Sequence, residues 1–232
     1  HQHEALVRSH DKVNYAYFME MGCGKSKVLI DNIVWLYEQG HIDTAVIVAP
    51  KGVYRNWEVN EIPIHFPDNV HKEIYVWRSG ANKSQLKCLE QGIVERESLR
   101  ILLINVEAFA TQKLPKYLKA FVTDSSFLIA VDESTTIKNP KAKRTKTLMV
   151  VSKVAAYRRI LTGSPVTNSP LDLFSQCAFL DPNLLGFKTF WTFQYRYAMT
   201  RTQKMGSHSF TQVIGYRNLG ELSEKLSKFS HR

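Results

Sequence analysis

The segment Met21-Gly22-Cys23-Gly24-Lys25-Ser26 constrains this chain more than any other. Two glycines one residue apart, followed by Lys-Ser, stand between an apolar run and a helical pattern. The run is Tyr15 to Met19; the pattern is Lys25 to Gln39, with Val28, Leu29, Ile33 and Leu36 along one side. Glycine permits backbone conformations that point successive N–H groups into one concavity, and the following helix offers its positive end. A strand, a glycine-rich turn and a helix in that order suit the phosphates of a nucleotide. Lys25 would then reach the β- and γ-phosphates, and the Ser26 hydroxyl would ligate Mg²⁺. The eight-residue phosphate-loop pattern puts a glycine where Met19 stands, so the turn alone could also be a structural strand–helix connection.

A second segment supplies what such a site still lacks. Asp132-Glu133 closes the apolar run Phe127 to Val131. In an open parallel sheet ligands bind beyond the strand C-termini, so a carboxylate there can hold Mg²⁺ through water. Its neighbour can orient or deprotonate an attacking water. An acidic pair after a strand can also be a helix cap and dipole partner. The two segments in this order, each behind a strand, point to ATP and Mg²⁺, with Asp132, Glu133 and Lys25 as catalytic residues and Ser26 and Asp132 as metal ligands.

The rest of the pattern supports an α/β fold. Short β-branched or aromatic runs alternate with amphipathic stretches, which predicts βαβ units and a mainly parallel sheet flanked by helices. The expected strands are Tyr15 to Met19, Ala45 to Ala49, Ile74 to Trp77, Ile101 to Ile104, Phe127 to Val131 and Arg159 to Leu161. They barely alternate in polarity, as strands covered on both faces should. Beyond Pro182 the character changes: Phe187 to Tyr197 reads as an aromatic-rich helix, Arg201 to His208 as a polar loop, and Leu219 to Phe229 as a final helix. The organisation expected is a lobe over 1–182 and a helical extension over 183–232.

Composition sets outer bounds. At 232 residues and 44% hydrophobic the chain can bury a substantial core, and no apolar run approaches a membrane span. It opens His1-Gln2-His3-Glu4-Ala5, without a secretory signal layout, and reads as a piece of something longer. Cys23, Cys88 and Cys177 are scattered and show no metal-ligand spacing, which suits a reducing, intracellular setting. The net charge of +10 suits a polyanionic partner or simply a soluble basic surface.

With these residues in place the chain resembles the superfamily-two helicases, and among them the Swi/Snf-like ATPases that translocate on double-stranded DNA. That family writes Asp-Glu-Met-Gly-x-Gly-Lys-Thr where this chain has Met19-Glu20-Met21-Gly22-Cys23-Gly24-Lys25-Ser26, so the missing glycine is itself a family mark. Val46 to Lys51 with Asn56-Trp57 resembles motif Ia, and Ile104 to Glu107 a further strand end. Asp132 to Thr135 followed by Ile137-Lys138-Asn139-Pro140 resembles the Asp-Glu-Ala-His motif with its Ile-Lys-Asn tail. Leu161-Thr162-Gly163-Ser164-Pro165 resembles motif III. Two departures stand out: Thr135 where the family has His, and Met19 where it has Asp.

The resemblance implies a RecA-like P-loop lobe and several residue roles. ATP would be bound by Gln2 (reading adenine), Met21, Gly22, Cys23, Gly24, Lys25 and Ser26; Lys51 and Lys138 would contact the DNA backbone; Thr162 and Ser164 would couple nucleotide state to DNA. Each has a plainer reading beside it. Gln2 could be a frayed terminal residue, and Lys51 a solvated lysine. Lys138 with Lys141, Lys143, Arg144 and Lys146 could form an exposed face, and Thr162 and Ser164 could be turn caps. Trp35, Trp57 and the aromatics around Trp191 read as core. The function implied is the ATP-binding lobe of a monomeric, intracellular double-stranded DNA translocase (in a host cytoplasm for a phage-encoded chain) that needs a second RecA-like lobe and is nearly inactive without it. An RNA or strand-separating helicase lobe, or a nucleotide-gated binding module without hydrolysis, remain as alternatives.

Overall fold

The structure, a computed structural model, describes residues 1–78, 98–205 and 208–232. Cys88 and residues 206–207 of the expected 201–208 loop lie outside the described residues.

The chain begins with α1 (Gln2–Ser9), then β1 (Asn14–Tyr17), the glycine turn and α2 (Lys25–Glu38). No Gly or Pro interrupts α2, and its end is set by Gly40 in the left-handed region (φ 71°). There the His41 N–H donates to the Leu36 carbonyl (2.9 Å) and the Gly40 N–H to Tyr37 (2.9 Å), closing a Schellman cap. β2 (Thr44–Ala49) leads into two short helices, α3 (Tyr54–Asn56) and α4 (Ile62–His65), joined by a π-helical turn over Trp57–Glu61. β3 (Lys72–Val76), β4 (Leu99–Asn105), α5 (Leu114–Val122), β5 (Phe127–Asp132), α6 (Lys143–Ser152), β6 (Tyr157–Leu161) and α7 (Leu173–Leu180) follow.

Among the described residues the main sheet runs β3-β4-β2-β5-β6-β1-β9, the last being the terminal strand Ser230–His231, and all its pairings are parallel. β2 and β5 are buried at every position because helices cover both faces. Alternate side chains enter two separate cores. Val46, Val48, Ile129, Val131 and Ile160 join the face covered by α5, α6 and α7, whereas Ala45, Ile47, Leu128, Ala130 and Leu161 face α2. Each fully buried Val, Leu or Ile side chain among these contributes about 1.5–3 kcal/mol relative to exposure. This is why the strands read as unbroken apolar runs.

The extension is mixed rather than helical. α8 (Phe190–Tyr197) runs into an antiparallel pair, β7 (Ala198–Met205) and β8 (His208–Tyr216), and α9 (Leu219–Ser227) follows. The stretch expected as a loop from Arg201 is therefore strand over its described part. Its backbone N–H and C=O groups are paired across the hairpin, which the polar side chains give no reason to suspect. The chain then returns to the main sheet, where β9 (Ser230–His231) pairs with β1 through Ala16↔Ser230 and Tyr17↔His231. The aromatics of α8 divide by helix face. Phe193 and Tyr197 are core, but Trp191 and Tyr195 are 70% and 80% exposed, contrary to the expectation for that cluster. No described helix is long and apolar enough to cross a membrane.

Candidate nucleotide site

Three loops meet at the C-terminal edge of the sheet because β1, β6 and β5 are consecutive neighbours. The loop after β1 is the glycine turn, and both of its glycines lie in the left-handed region, Gly22 at φ 77° and Gly24 at φ 79°. Gly24 is the N-cap of α2, whose first turn carries no acidic residue to compete with an anion. The Lys25 ammonium folds back and donates to the Met19 and Glu20 carbonyls, each at 3.0 Å. Gln2 reaches the same turn from α1, its side-chain amide donating to the Cys23 carbonyl at 3.2 Å. A Cβ on Gly24 would lie 2.2 Å from Gln2 Nε2, so the two residues occupy one tight space. Met21 is exposed at the tip of the turn, and Cys23 is a partly exposed free thiol.

The loop after β5 carries the acidic pair. Asp132 is only 7% exposed. Its Oδ2 accepts from the Trp57 indole Nε1 (2.9 Å) and its Oδ1 from the Glu133 backbone N–H (2.9 Å). Burial raises its carboxyl above the ordinary range. Donation from Trp57 offsets this, the Glu133 charge adds to it, and the Glu133 N–H and the Lys25 charge pull back. The ammonium of Lys25 in the phosphate turn thus acts on the acidic pair through its charge. Glu133 has a left-handed backbone (φ 47°, ψ 60°), a strained conformation for a non-glycine residue that is typical of functional sites.

The loop after β6 lies between these two. The Thr162 hydroxyl donates to Glu133 Oε2 at 3.3 Å and accepts from the Ser164 N–H at 3.2 Å. A Cβ on Gly163 would lie 3.3 Å from the backbone N and the Cγ of Met21, so this loop also touches the phosphate turn.

The DNA-contact candidates stand apart from this centre. Lys51 is exposed in the turn after β2. Lys138 is tied across to the segment that follows β6, donating to the Thr167 hydroxyl and pairing with Asp172 (3.6 Å). Burial works against the Asp172 carboxylate, but N–H groups from Asn168 and Ser169, the Thr167 hydroxyl and Lys138 together lower its pKa. Of the basic run, Arg144 is spent on the Thr136 carbonyl (2.9 Å), while Lys141, Lys143 and Lys146 are exposed.

Two residues carry more than their sequence suggested. Trp57 is core, as its type implied, yet its N–H is used on Asp132. Gln176 of α7 is fully buried; it accepts from the Ser134 hydroxyl (2.7 Å) and donates to the Pro165 carbonyl (2.8 Å). This joins the acidic segment to the loop after β6 without using residue 135. Its position one turn into an apolar helix was the available signal, since a buried amide must find partners.

The residues present fit a magnesium nucleotide. A glycine cradle opens at a helix N-terminus free of acids, Lys25 is adjacent, and the metal donors are a hydroxyl and a carboxylate, oxygen ligands of the kind Mg²⁺ takes alongside substrate phosphates. Fold and site together define a RecA-like P-loop α/β lobe. The chain belongs to the SNF2-related domain family, whose model matches residues 5–228. It is 30% identical over 166 residues to the ATP-dependent helicase fft2 of Schizosaccharomyces pombe, a match covering 71% of this chain and 12% of that protein. It is 24% identical over 216 residues to the DNA repair and recombination protein RAD54B of Gallus gallus, covering 90% of this chain and 22% of that one. The chain thus spans less than a quarter of either relative. Among solved structures it is similar to the Sulfolobus solfataricus SWI2/SNF2 ATPase core in complex with dsDNA, with a TM-score of 0.68 and 21% identity over all of this chain and 42% of that one, a likeness of fold.

Proposed function

We propose that this chain is the first RecA-like lobe, residues 1–182 with the extension 183–232, of an ATP-dependent translocase acting on double-stranded DNA inside the cell. The observation that carries the reading is the meeting of the phosphate turn, Thr162 to Ser164 and Asp132-Glu133 at the ends of three adjacent strands. The helicase name of the Schizosaccharomyces pombe relative and the duplex in the archaeal complex support it.

In this reading ATP lies along Met21 to Ser26 with its adenine edge at Gln2. Lys25 leaves the Met19 and Glu20 carbonyls and donates to the β- and γ-phosphates. Ser26 and, through water, Asp132 would hold Mg²⁺, which when bound neutralises phosphate charge. Glu133 takes the proton of the attacking water. Thr162, already donating to Glu133, passes the change at the γ-phosphate to Ser164. A second RecA-like lobe of the same monomeric protein supplies the remaining transition-state charge, so these 232 residues alone should turn over slower than a two-lobe enzyme by on the order of 10³–10⁵. Lys51, Lys138 and exposed Lys141 lie in the loops after the neighbouring strands β2 and β5, with exposed Lys143 and Lys146 at the start of α6, and together they suit the phosphates of a duplex.

The test is Glu133→Gln in the intact protein. ATP binding should persist while turnover falls by about 10²–10⁴. Unchanged turnover overturns the assignment. Stimulation by RNA and not by duplex DNA would move the protein to the RNA-helicase class.

A further inference from the structure

We propose that Trp57 is a positioning residue whose indole N–H sets the orientation of the Asp132 carboxylate for magnesium. This rests on the reading of Asp132 as a metal ligand and adds to it the group that aims the ligand. The two residues are 75 apart in sequence and meet because β2 and β5 are sheet neighbours, with Val48 opposite Val131 just before each loop begins. Trp57 is 1% exposed, so water cannot take over when its N–H is lost.

The geometry is specific to a carboxylate. Each oxygen of Asp132 faces one N–H donor, Trp57 on Oδ2 and the Glu133 backbone on Oδ1, both at 2.9 Å. Two donors on two oxygens fix the plane of the group. An asparagine could accept from only one of them and would turn its own NH₂ toward the other. A packing role alone would leave the indole free to use any carbonyl, as buried tryptophans commonly do. Here the donor is spent on a buried acid, in the manner of groups that orient metal ligands from behind.

The local backbone is also unusual. Trp57 opens the π-helical turn Trp57–Glu61, a form concentrated at functional sites. In that turn Trp57 faces the core while Val59 and Asn60 face solvent. Its ends are tied down by the Asn56 amide donating to Glu61 (2.9 Å) and by Arg78 donating to Glu58 (3.0 Å). The donor is therefore held by a braced segment.

The test is Trp57→Phe in this chain, which keeps a ring and removes the N–H. Binding of a fluorescent ADP analogue is titrated with Mg²⁺ and with EDTA, and thermal unfolding is followed alongside. The variant should keep its EDTA affinity and lose about tenfold or more of the tightening that Mg²⁺ gives the wild type. Full retention of that tightening overturns the proposal, as does a parallel loss in EDTA, which would mark a packing role only. Asp132→Asn separates the two levels: if it too keeps the Mg²⁺ gain, the metal-ligand reading itself fails. A readout that needs no folded Trp57 variant is the ¹⁵N-indole spectrum of the wild type. The indole signal displaced by Asp132→Asn should also shift when Mg²⁺ is added to the ADP complex, and the absence of any such shift overturns the proposal.

Discussion

Gly24 is required on two counts, its left-handed φ of 79° and the 2.2 Å that separates a built Cβ from Gln2 Nε2. Gly24→Ala should destabilise the domain by about 1 kcal/mol or more from backbone strain alone, seen in denaturant unfolding. It should also weaken nucleotide binding, because Gln2 must move off the turn. Met19, which departs from the family pattern, has its side chain buried in the core facing α2, while its backbone carbonyl accepts from Lys25. Nothing in the structure explains Thr135 itself.

Between elements, two polar clusters do work that packing cannot. Arg159 of β6 is fully buried, and its donors go to Asn32 of α2 (2.8 Å), to the carbonyls of Ser9 (3.0 Å), Lys12 (2.7 Å) and Val13 (3.1 Å), and to its neighbour Arg158 (2.8 Å). It thereby locks α1, which carries Gln2, to the helix of the phosphate turn and to the strand that ends at Thr162. Arg159→Met should cost roughly 2–4 kcal/mol in chemical denaturation, since several buried carbonyls lose their donor. The second cluster joins α8 to α9. Glu221 accepts from Arg196 Nε (3.0 Å) and the Tyr197 hydroxyl (2.9 Å) and pairs with Lys225 (3.3 Å). Hydrogen bonding from Arg196, then from Tyr197, pulls its carboxyl from 4.5 down to about 2. A carboxyl depressed in the folded state adds stability above its unfolded value and loses it as pH falls toward the folded one. Thermal midpoints should therefore decline between pH 4.5 and about 2, and Glu221→Gln should flatten that part of the profile.

For the molecule as a whole, the net charge of +10 would make the first contact with the proposed partner, duplex DNA, an electrostatic one. Affinity for duplexes of unrelated sequence should be similar and should fall steeply and linearly on a logarithmic salt axis, as fluorescence anisotropy at several salt concentrations would show. Lys51→Ala should make that slope shallower by roughly one unit if the lysine sits on a phosphate. A slope unchanged by the substitution would remove Lys51 from the interface.

The sequence by itself determined the strand–turn–helix unit around Gly22 to Ser26, the cores of six of the seven strands of the main sheet and the identity of the acidic pair. These are local matters: glycine conformational freedom, apolar runs covered on both faces, and charge at a strand end. Expectation and structure part where backbone pairing or helix face decides. The hairpin β7–β8 takes in Arg201 to Lys204, residues too polar to announce a strand, and α8 turns Trp191 and Tyr195 outward while burying Phe193 and Tyr197. Only the tertiary structure decided which distant groups meet. Strand order puts β6 between β1 and β5 and so places Thr162 against Glu133; the β2–β5 pairing brings the Trp57 indole to Asp132; Gln176 bridges Ser134 and Pro165 from a helix far along the chain. A residue's type states what it can donate or accept, and the order of strands in the sheet decides what it finds there.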